Sequence, residues 1–234
     1  DTGSGTNGVV AWCWKGGGPA VTNTDGSISA QVSANAEAGF SICSWTINTS
    51  GVYTIGHGLG KAPDWIMMKN RDTTNNWDCY HSYIGNTKRF KLNSRDAGED
   101  YTEPWNDTTP TSSVFTSTGS WLGGNSNKII AYCWTSIPGY SKMGGYTGNG
   151  NSSGPFVHLG FRPAWFLIKA DLSESWYLYD SKRNVGNVVD KELRSDHNYA
   201  EGTFTTVDFL SDGFKIRATD SAYNQDGSSY FYIA

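Results

Sequence analysis

"KAPDWIMMK" at residues 61–69 and "FRPAWFLIK" at 161–169 place proline, tryptophan and lysine at the same offsets: Pro63 and Pro163, Trp65 and Trp165, Lys69 and Lys169. Each is a brief apolar run behind a proline turn, the length of a buried strand and too short for a helix. The match continues downstream. "NNWDCYHSYI" (75–84) answers "ESWYLYDSKR" (174–183), pairing Trp77 with Trp176 and Tyr80 with Tyr179. "SSVFT" (112–116) answers "SDGFK" (211–215), pairing Phe115 with Phe214. Each half closes on an apolar run, "IIAYCW" (129–134) and "YFYIA" (230–234), and a third, "VVAWCW" (9–14), precedes the first half. Such self-similarity predicts a duplicated unit of about 100 residues. The expected division is a leading strand (9–14) with a Gly/Ser/Asn-rich linker over 1–37, a first unit over 38–134 and a second over 135–234. The leading strand is expected to complete the first unit's sheet.

The wider composition fits strands joined by turns. Apolar residues reach only 37 % while aromatics reach 14 %, and 28 glycines punctuate the chain. "TNTDGS" (22–27), "GGNSN" (123–127), "TGNGNSSG" (147–154) and "NQDGSS" (224–229) supply turn chemistry. No ten-residue stripe has helical period, although "VVDKELRSD" (188–196) reads as one helical turn. The predicted class is all-β, an antiparallel sandwich or jelly-roll-like arrangement. Residues shared by the two halves are expected in the core, which assigns Trp12, Trp14, Trp65, Trp77, Trp134, Trp165 and Trp176 there. Trp45, near Tyr146 in register, joins them.

Charge and cysteine usage exclude several functions. A net charge of −4 argues against nucleic acid, which demands clustered Lys and Arg. The most basic run, "NTKRFK" (86–91), reads as a solvated strand end. No run of some 18 apolar residues offers a membrane-spanning helix. Cys13 and Cys133 sit at matching positions and read as small buried hydrophobes. With Cys43 and Cys79 they show no metal spacing, so free thiols and assembly in a reducing cytosol are expected. "GSGTNG" (3–8) follows no strand and reads as a flexible terminus instead of a dinucleotide loop. The opening "DTGSGTNG" and the closing "SSYFYIA" both read as cut from a longer chain.

Catalytic signatures are missing: HExxH and the phosphate-binding loop do not occur. His57 and His158 precede the two proline turns and read as structural, while His81 aligns with Asp180 and so is not a repeated base. Carboxylates suitable for glycoside hydrolysis exist, among them Asp64, Glu99 and Glu103, but no pairing signature joins them. "NRDTTNNWD" (70–78) offers calcium-type oxygen ligands in Asp72, Asn75 and Asp78, against the plainer reading of an Asx-rich turn. Trp105 and Trp121 stand in polar loops outside the repeated positions. With Tyr101, Asn106 and Asp107 they form the candidate glycan-binding set, because rings stack on pyranose faces and side-chain amides bind hydroxyls.

Several phrases carry a family resemblance: "VVAWCWKGGG", "SANAEAGFSI", "TIGHGLGKAPDWIMMKNRDTTNNWDCYHS", "AYCWTSIPGYSKMGGYTGNG" and "GPFVHLGFRPAWFLIK". Over essentially its whole length the chain resembles a repeated domain in virion proteins of marine bacteriophages, including phages of cyanobacteria. The resemblance implies a distal position in tail-fibre or tail-associated proteins, often beside concanavalin-like lectin modules, and supplies no catalytic residues. It implies a virion location after assembly in the bacterial cytoplasm, with other virion proteins or further copies of the chain as partners. The expected function is a virion structural module attaching to host-surface polysaccharide, without catalysis and without a cofactor. The alternatives are a purely architectural virion domain and, from a different class, a polysaccharide-degrading enzyme of lectin-like fold.

Overall fold

The computed structural model describes residues 10–234; the "GSGTNG" stretch and the first residue of "VVAWCW" lie outside the described residues. The first half forms β1 (Val21–Asn23), β2 (Ala30–Asn35), β3 (Phe40–Thr46), β4 (Val52–Gly56), β5 (Trp65–Asn70), β6 (Asp78–His81), β7 (Gly85–Lys91), β8 (Glu99–Asp100), β9 (Val114–Thr118) and β10 (Lys128–Trp134). The second half forms β11 (Met143–Thr147), β12 (Phe156–His158), β13 (Trp165–Ala170), β14 (Trp176–Asp180), β15 (Val189–Arg194), β16 (Gly202–Leu210), β17 (Gly213–Ile216) and β18 (Ser229–Ile233). All pairings between these strands are antiparallel. The protein is an all-β antiparallel structure of sandwich type.

The first sheet runs β1-β2-β3-β10-β5-β6-β7-β8 and the second β11-β18-β13-β14-β15-β16-β17-β12. Strand order corresponds between the halves: the closing strand (β10 or β18) lies between the strand that opens each half (β3 or β11) and the "WIMMK/WFLIK" strand (β5 or β13). The register of the next pair corresponds too. Asp78 faces Lys91 and Cys79 faces Phe90 in the first half; Tyr177 faces Arg194 and Leu178 faces Leu193 in the second.

Period-two alternation makes each sheet apolar on both faces. In β5, Ile66 and Met68 point into the first half's own core, which the β4–β9 ribbon covers with Tyr53, Ile55 and Phe115. In β13, Phe166 and Ile168 point into the second half's core, closed where the sheet curls to bring Val207, Phe209 and Phe214 over them. The opposite faces meet each other. Trp65, Cys79, Phe90 and Trp134 from the first sheet pack with Leu167, Trp176, Leu178, Phe231 and Ile233 from the second, forming a third core. The molecule is thus two sandwiches sharing a buried back-to-back interface.

Several expectations change. Residues 10–14 form no strand: β2 already occupies the free side of β3, and the span expected as linker supplies β1 and β2. The 10–14 segment instead lays tryptophans on the third core. Trp12 Nε1 donates to Asp180 Oδ2 at 3.2 Å, and Trp14, 39 % exposed, meets Trp165 edge-on at 5.2 Å. Cys13 is therefore exposed, whereas Cys43, Cys79 and Cys133 are buried; all four are free thiols. The expected helical turn at 188–196 is strand β15, because Val189 and Leu193 pack inward while both edges pair with neighbours. Arg89, expected on a solvated strand end, is only 7 % exposed.

Candidate binding cleft

Strand β6 begins at Asp78, directly after the Asx-rich turn, and β7 returns beside it with Arg89 and Lys91 on one face and Phe90 on the other. That alternation sends Phe90 into the third core and leaves Arg89 and Lys91 facing an edge strand. β8 then aligns Glu99 opposite Arg89. The result is a charged ladder. Arg89 Nη1 donates to Asp78 Oδ1 at 3.0 Å, while its Nε and Nη2 donate to Glu99 Oε2 at 2.9 and 2.6 Å. Lys91 Nζ donates to Glu99 Oε1 at 2.6 Å.

Trp121, from the turn after β9, completes the arrangement. Its Nε1 donates to Asp78 Oδ2 at 2.9 Å, and its ring lies 4.2 Å from the Arg89 guanidinium carbon. The Tyr101 ring, 45 % exposed, sits 5.4 Å from that of Trp121 and 4.9 Å from the same guanidinium carbon. A cationic fork over aromatic faces is a favourable contact, and stronger when partly desolvated. Burial raises the Asp78 carboxyl above the usual carboxylate range despite its hydrogen bonds to Trp121 and Arg89. Burial would raise Glu99 too, but the hydrogen bonds from Lys91 and Arg89 hold it below its ordinary value. Asn75, Asn76, Asp78, Arg89 and Trp121 line a cleft of about 260 Å³.

Of the glycan-binding set named from the sequence, Trp121 and Tyr101 come together here. Trp105 does not. It is 1 % exposed, packed edge-on against Tyr80 at 5.7 Å in the first half's core, so it has no face to offer a ligand. Asn106 and Asp107 hold left-handed backbone, φ 51° and 46°, and serve their own turn. The Asp107 carboxylate accepts the Thr102 hydroxyl at 3.3 Å, and Asn106 Nδ2 donates to the Thr108 hydroxyl at 3.4 Å. Neither lines the cleft. Arg89 and Glu99 were missed as partners, since their convergence depends on β7–β8 pairing; the Arg89/Phe90/Lys91 alternation was the only local signal.

The two carboxylates of the calcium-type set have other partners, and Asn75 lines the cleft. Asp72 Oδ2 accepts the Lys128 amide at 2.7 Å, and Asp78 is held by Arg89 and Trp121. Among the described residues, no group of three or more His, Cys, Asp or Glu side chains gathers to hold a metal ion.

Fold and cleft together define a double antiparallel sandwich with an aromatic and polar recess at one sheet edge. The chain belongs to the family described as a domain of unknown function, DUF7483, whose model matches residues 1–234. Searches of curated proteins and of solved structures found no match.

Proposed function

We propose that this chain is a structural module of a bacteriophage virion, in a tail fibre or tail-associated protein, that attaches to host-surface polysaccharide without cleaving it. The observation that carries the binding reading is the cleft, lined by half-buried Trp121 with Arg89, Asn75 and Asn76, and flanked by exposed Tyr101, whose ring lies 5.4 Å from that of Trp121. Sugar recognition needs an aromatic face with planar hydrogen-bonding groups beside it, and the cleft supplies both. Three of the five Arg89 N–H groups go to Asp78 and Glu99, which leaves two for ligand hydroxyls. Arg89 and Lys91 are balanced by Asp78 and Glu99, so an uncharged pyranose suits the site better than an acidic one. The virion assignment rests on the resemblance of the repeated motifs.

A glycan array probed with the intact chain and a Tyr101→Ala, Trp121→Ala double variant tests this reading. Binding to a neutral polysaccharide that disappears in the variant, with circular dichroism unchanged, is the expected result. Equal binding by both proteins would refute the site. A second reading, an architectural virion domain, draws support from the burial of Trp105 and predicts that neither protein binds. Shortening of bound glycan over hours would point to the enzyme class.

A further inference from the structure

The second half holds a recess at the same place in its strand order. Counting from the paired positions, Asp78 corresponds to Tyr177, Lys91 to Arg194, and Arg89 to Glu192 two residues earlier. Trp121 follows β9, and Asp220 follows the corresponding β17. All of these but Lys91 line two recesses of similar size, about 260 Å³ in the first half and about 290 Å³ in the second. The chemistry is inverted. Where the first has a buried arginine, the second has a buried glutamate; where the first has an aspartate, the second has a tyrosine ring.

The walls of the second recess are arranged for a ligand with one apolar and one cationic side. Phe204 stands at the rim, 47 % exposed, an unusual position for a phenylalanine with a packed core nearby. Glu192 is locked inside: Oε2 accepts the Tyr179 and Tyr223 hydroxyls, and Oε1 accepts Arg194 Nε at 2.9 Å. That ion pair cancels Arg194, whose guanidinium also covers the Tyr177 ring at 5.0 Å. Glu174 and Asp220 are left to set the charge. Glu174 accepts the hydroxyls of Ser221 and Tyr177 and lies 3.9 Å from the exposed Arg95. The Asp220 carboxylate accepts only the Ala222 amide at 3.0 Å, with no cation against it among the described residues. Burial raises its carboxyl above the ordinary range, and the charges of Glu174 and Glu192 push the same way.

We infer that this recess is a second binding site, separate from the first cleft, for an amino sugar whose ammonium group meets Glu174 and Asp220 while its ring lies on Phe204. Charge-assisted hydrogen bonds to carboxylates are the strong ones, and an aromatic rim adds stacking area. The two halves would then recognise different sugars with one fold, neutral at the first recess and cationic at the second.

The test is calorimetric titration of the intact chain with a β-1,4-linked glucosamine tetramer and with the same tetramer fully N-acetylated, in mildly acidic buffer. The backbone of the ligand is shared, and only the charge differs. The free-amine tetramer is expected to bind about tenfold or more tightly than the acetylated one, the scale of one charge-assisted contact. Asp220→Asn and Phe204→Ala should each weaken it. Phe204 is an exposed rim residue, and asparagine at 220 can still accept the Ala222 amide, so the fold is preserved and thermal midpoints should not move. Trp121→Ala should leave this binding intact. Equal affinity for both tetramers, absence of binding, or loss on Trp121→Ala alone would overturn the second site. Loss on Trp121→Ala alone would place the tetramer in the first cleft instead; the other outcomes leave that cleft's neutral-sugar reading to the array.

Discussion

Lys69 and Lys169 occupy the same register in β5 and β13, yet their surroundings differ. Lys69 is half-buried, with its ammonium on the carbonyls of Thr73 and Asn75. Lys169 is fully buried, its Nζ donating to the carbonyls of Ala170 and Leu172 at 2.7 Å each, with the Phe90 ring 5.6 Å away. Both lysines tie down the turn that follows their strand. The difference comes from the other half: β7 reaches across the interface, placing Phe90 over Lys169 and Lys88 on Asp171 at 2.8 Å. His81 and Asp180 show the same divergence at another matched position. His81 is buried against Phe231, accepting the Tyr83 amide on Nδ1 and bonding Tyr232 O through Nε2 at 3.1 Å. Asp180 instead binds Arg183 at 2.7 Å and Trp12. The repeated residues keep the turn and strand geometry. The packing of one half on the other sets each residue's burial and charge.

The shared back-to-back core gives the largest expected effect. Phe231 is fully buried there, 4.7 Å from Phe90 and 5.5 Å from Trp176. Phe231→Ala should cost about 3–5 kcal/mol, the range for deleting a buried aromatic. If the interface couples the halves, denaturant unfolding of the wild type is one transition and the variant's loss appears in probes of both halves. Separate transitions, with only the second half weakened, would show two independent sandwiches. Within the first half, Trp105→Ala should cost about 3–5 kcal/mol because its ring lies in the core. Trp121→Ala, at a half-buried edge, should cost about 1 kcal/mol and act mainly on ligand binding. The reverse ranking would return Trp105 to the list of ligand contacts.

The matched positions also separate by pH. Burial lowers His81 from 6.5 to about 4, so the unfolded chain binds a proton across that window before the folded one does. Stability should fall as pH drops from about 6.5 to 4, by about 3 kcal/mol from this residue. His57, lowered by burial as well, acts in the same direction. His81→Gln should flatten most of the slope in a pH series of denaturant midpoints; an unchanged slope would acquit the interface. Asp180 behaves differently, held below its ordinary value by Arg183 against the opposing effect of burial, so its contribution is lost only at still lower pH. At the alkaline end Lys169 is lowered by burial from 10.5 to about 8. The unfolded chain holds its proton longer, so between about pH 8 and 10 this residue makes stability rise with pH. Lys169→Met should remove that rise in the same pH series of denaturant midpoints.

Fold class was legible because it depends on local signals: Pro63 and Pro163 open strands, period-two runs follow, and Gly/Asn turns close them. The repetition assigns the seven tryptophans to the core with no indication of where they pack, and Trp14 is in fact 39 % exposed while Trp12 and Trp77 are half-buried. Trp65, Trp134, Trp165 and Trp176 belong to the interface between sheets, and no spacing within one half reveals what that half will rest on. The segment at 10–14 shows the same limit. "VVAWCW" copies the pattern of β10, yet the edge beside β3 is taken by β2, so tertiary competition overrides the pattern. At the cleft, the exposure of Tyr101 and the half-exposed edge of Trp121 fit their polar loops, whereas Arg89, Glu99 and Asp78 meet only through pairing of β6, β7 and β8. Trp105 misled because its neighbours are polar while its own ring turns inward.

The smallest expected effect addresses how the asymmetry between the halves is held. The Lys88–Asp171 pair crosses the interface with side-chain exposures of 29 % and 18 %, and Asp171 Oδ1 also accepts the Gly98 amide at 3.0 Å. Lys88→Met removes one charge and keeps the aliphatic stem, so it should cost only about 0.5–1 kcal/mol, the scale of a partly exposed ion pair, and less at high salt. Asp171→Asn also weakens the contact that seats the loop at Gly98, and a neutral amide oxygen accepts that hydrogen bond less strongly than a carboxylate. Asp171→Asn should therefore cost more than Lys88→Met, and a double variant should show coupling between the two. Additive losses in that cycle would mean that Phe90 and the apolar interface alone hold β7 over Lys169, and that the ion pair follows the asymmetry without maintaining it.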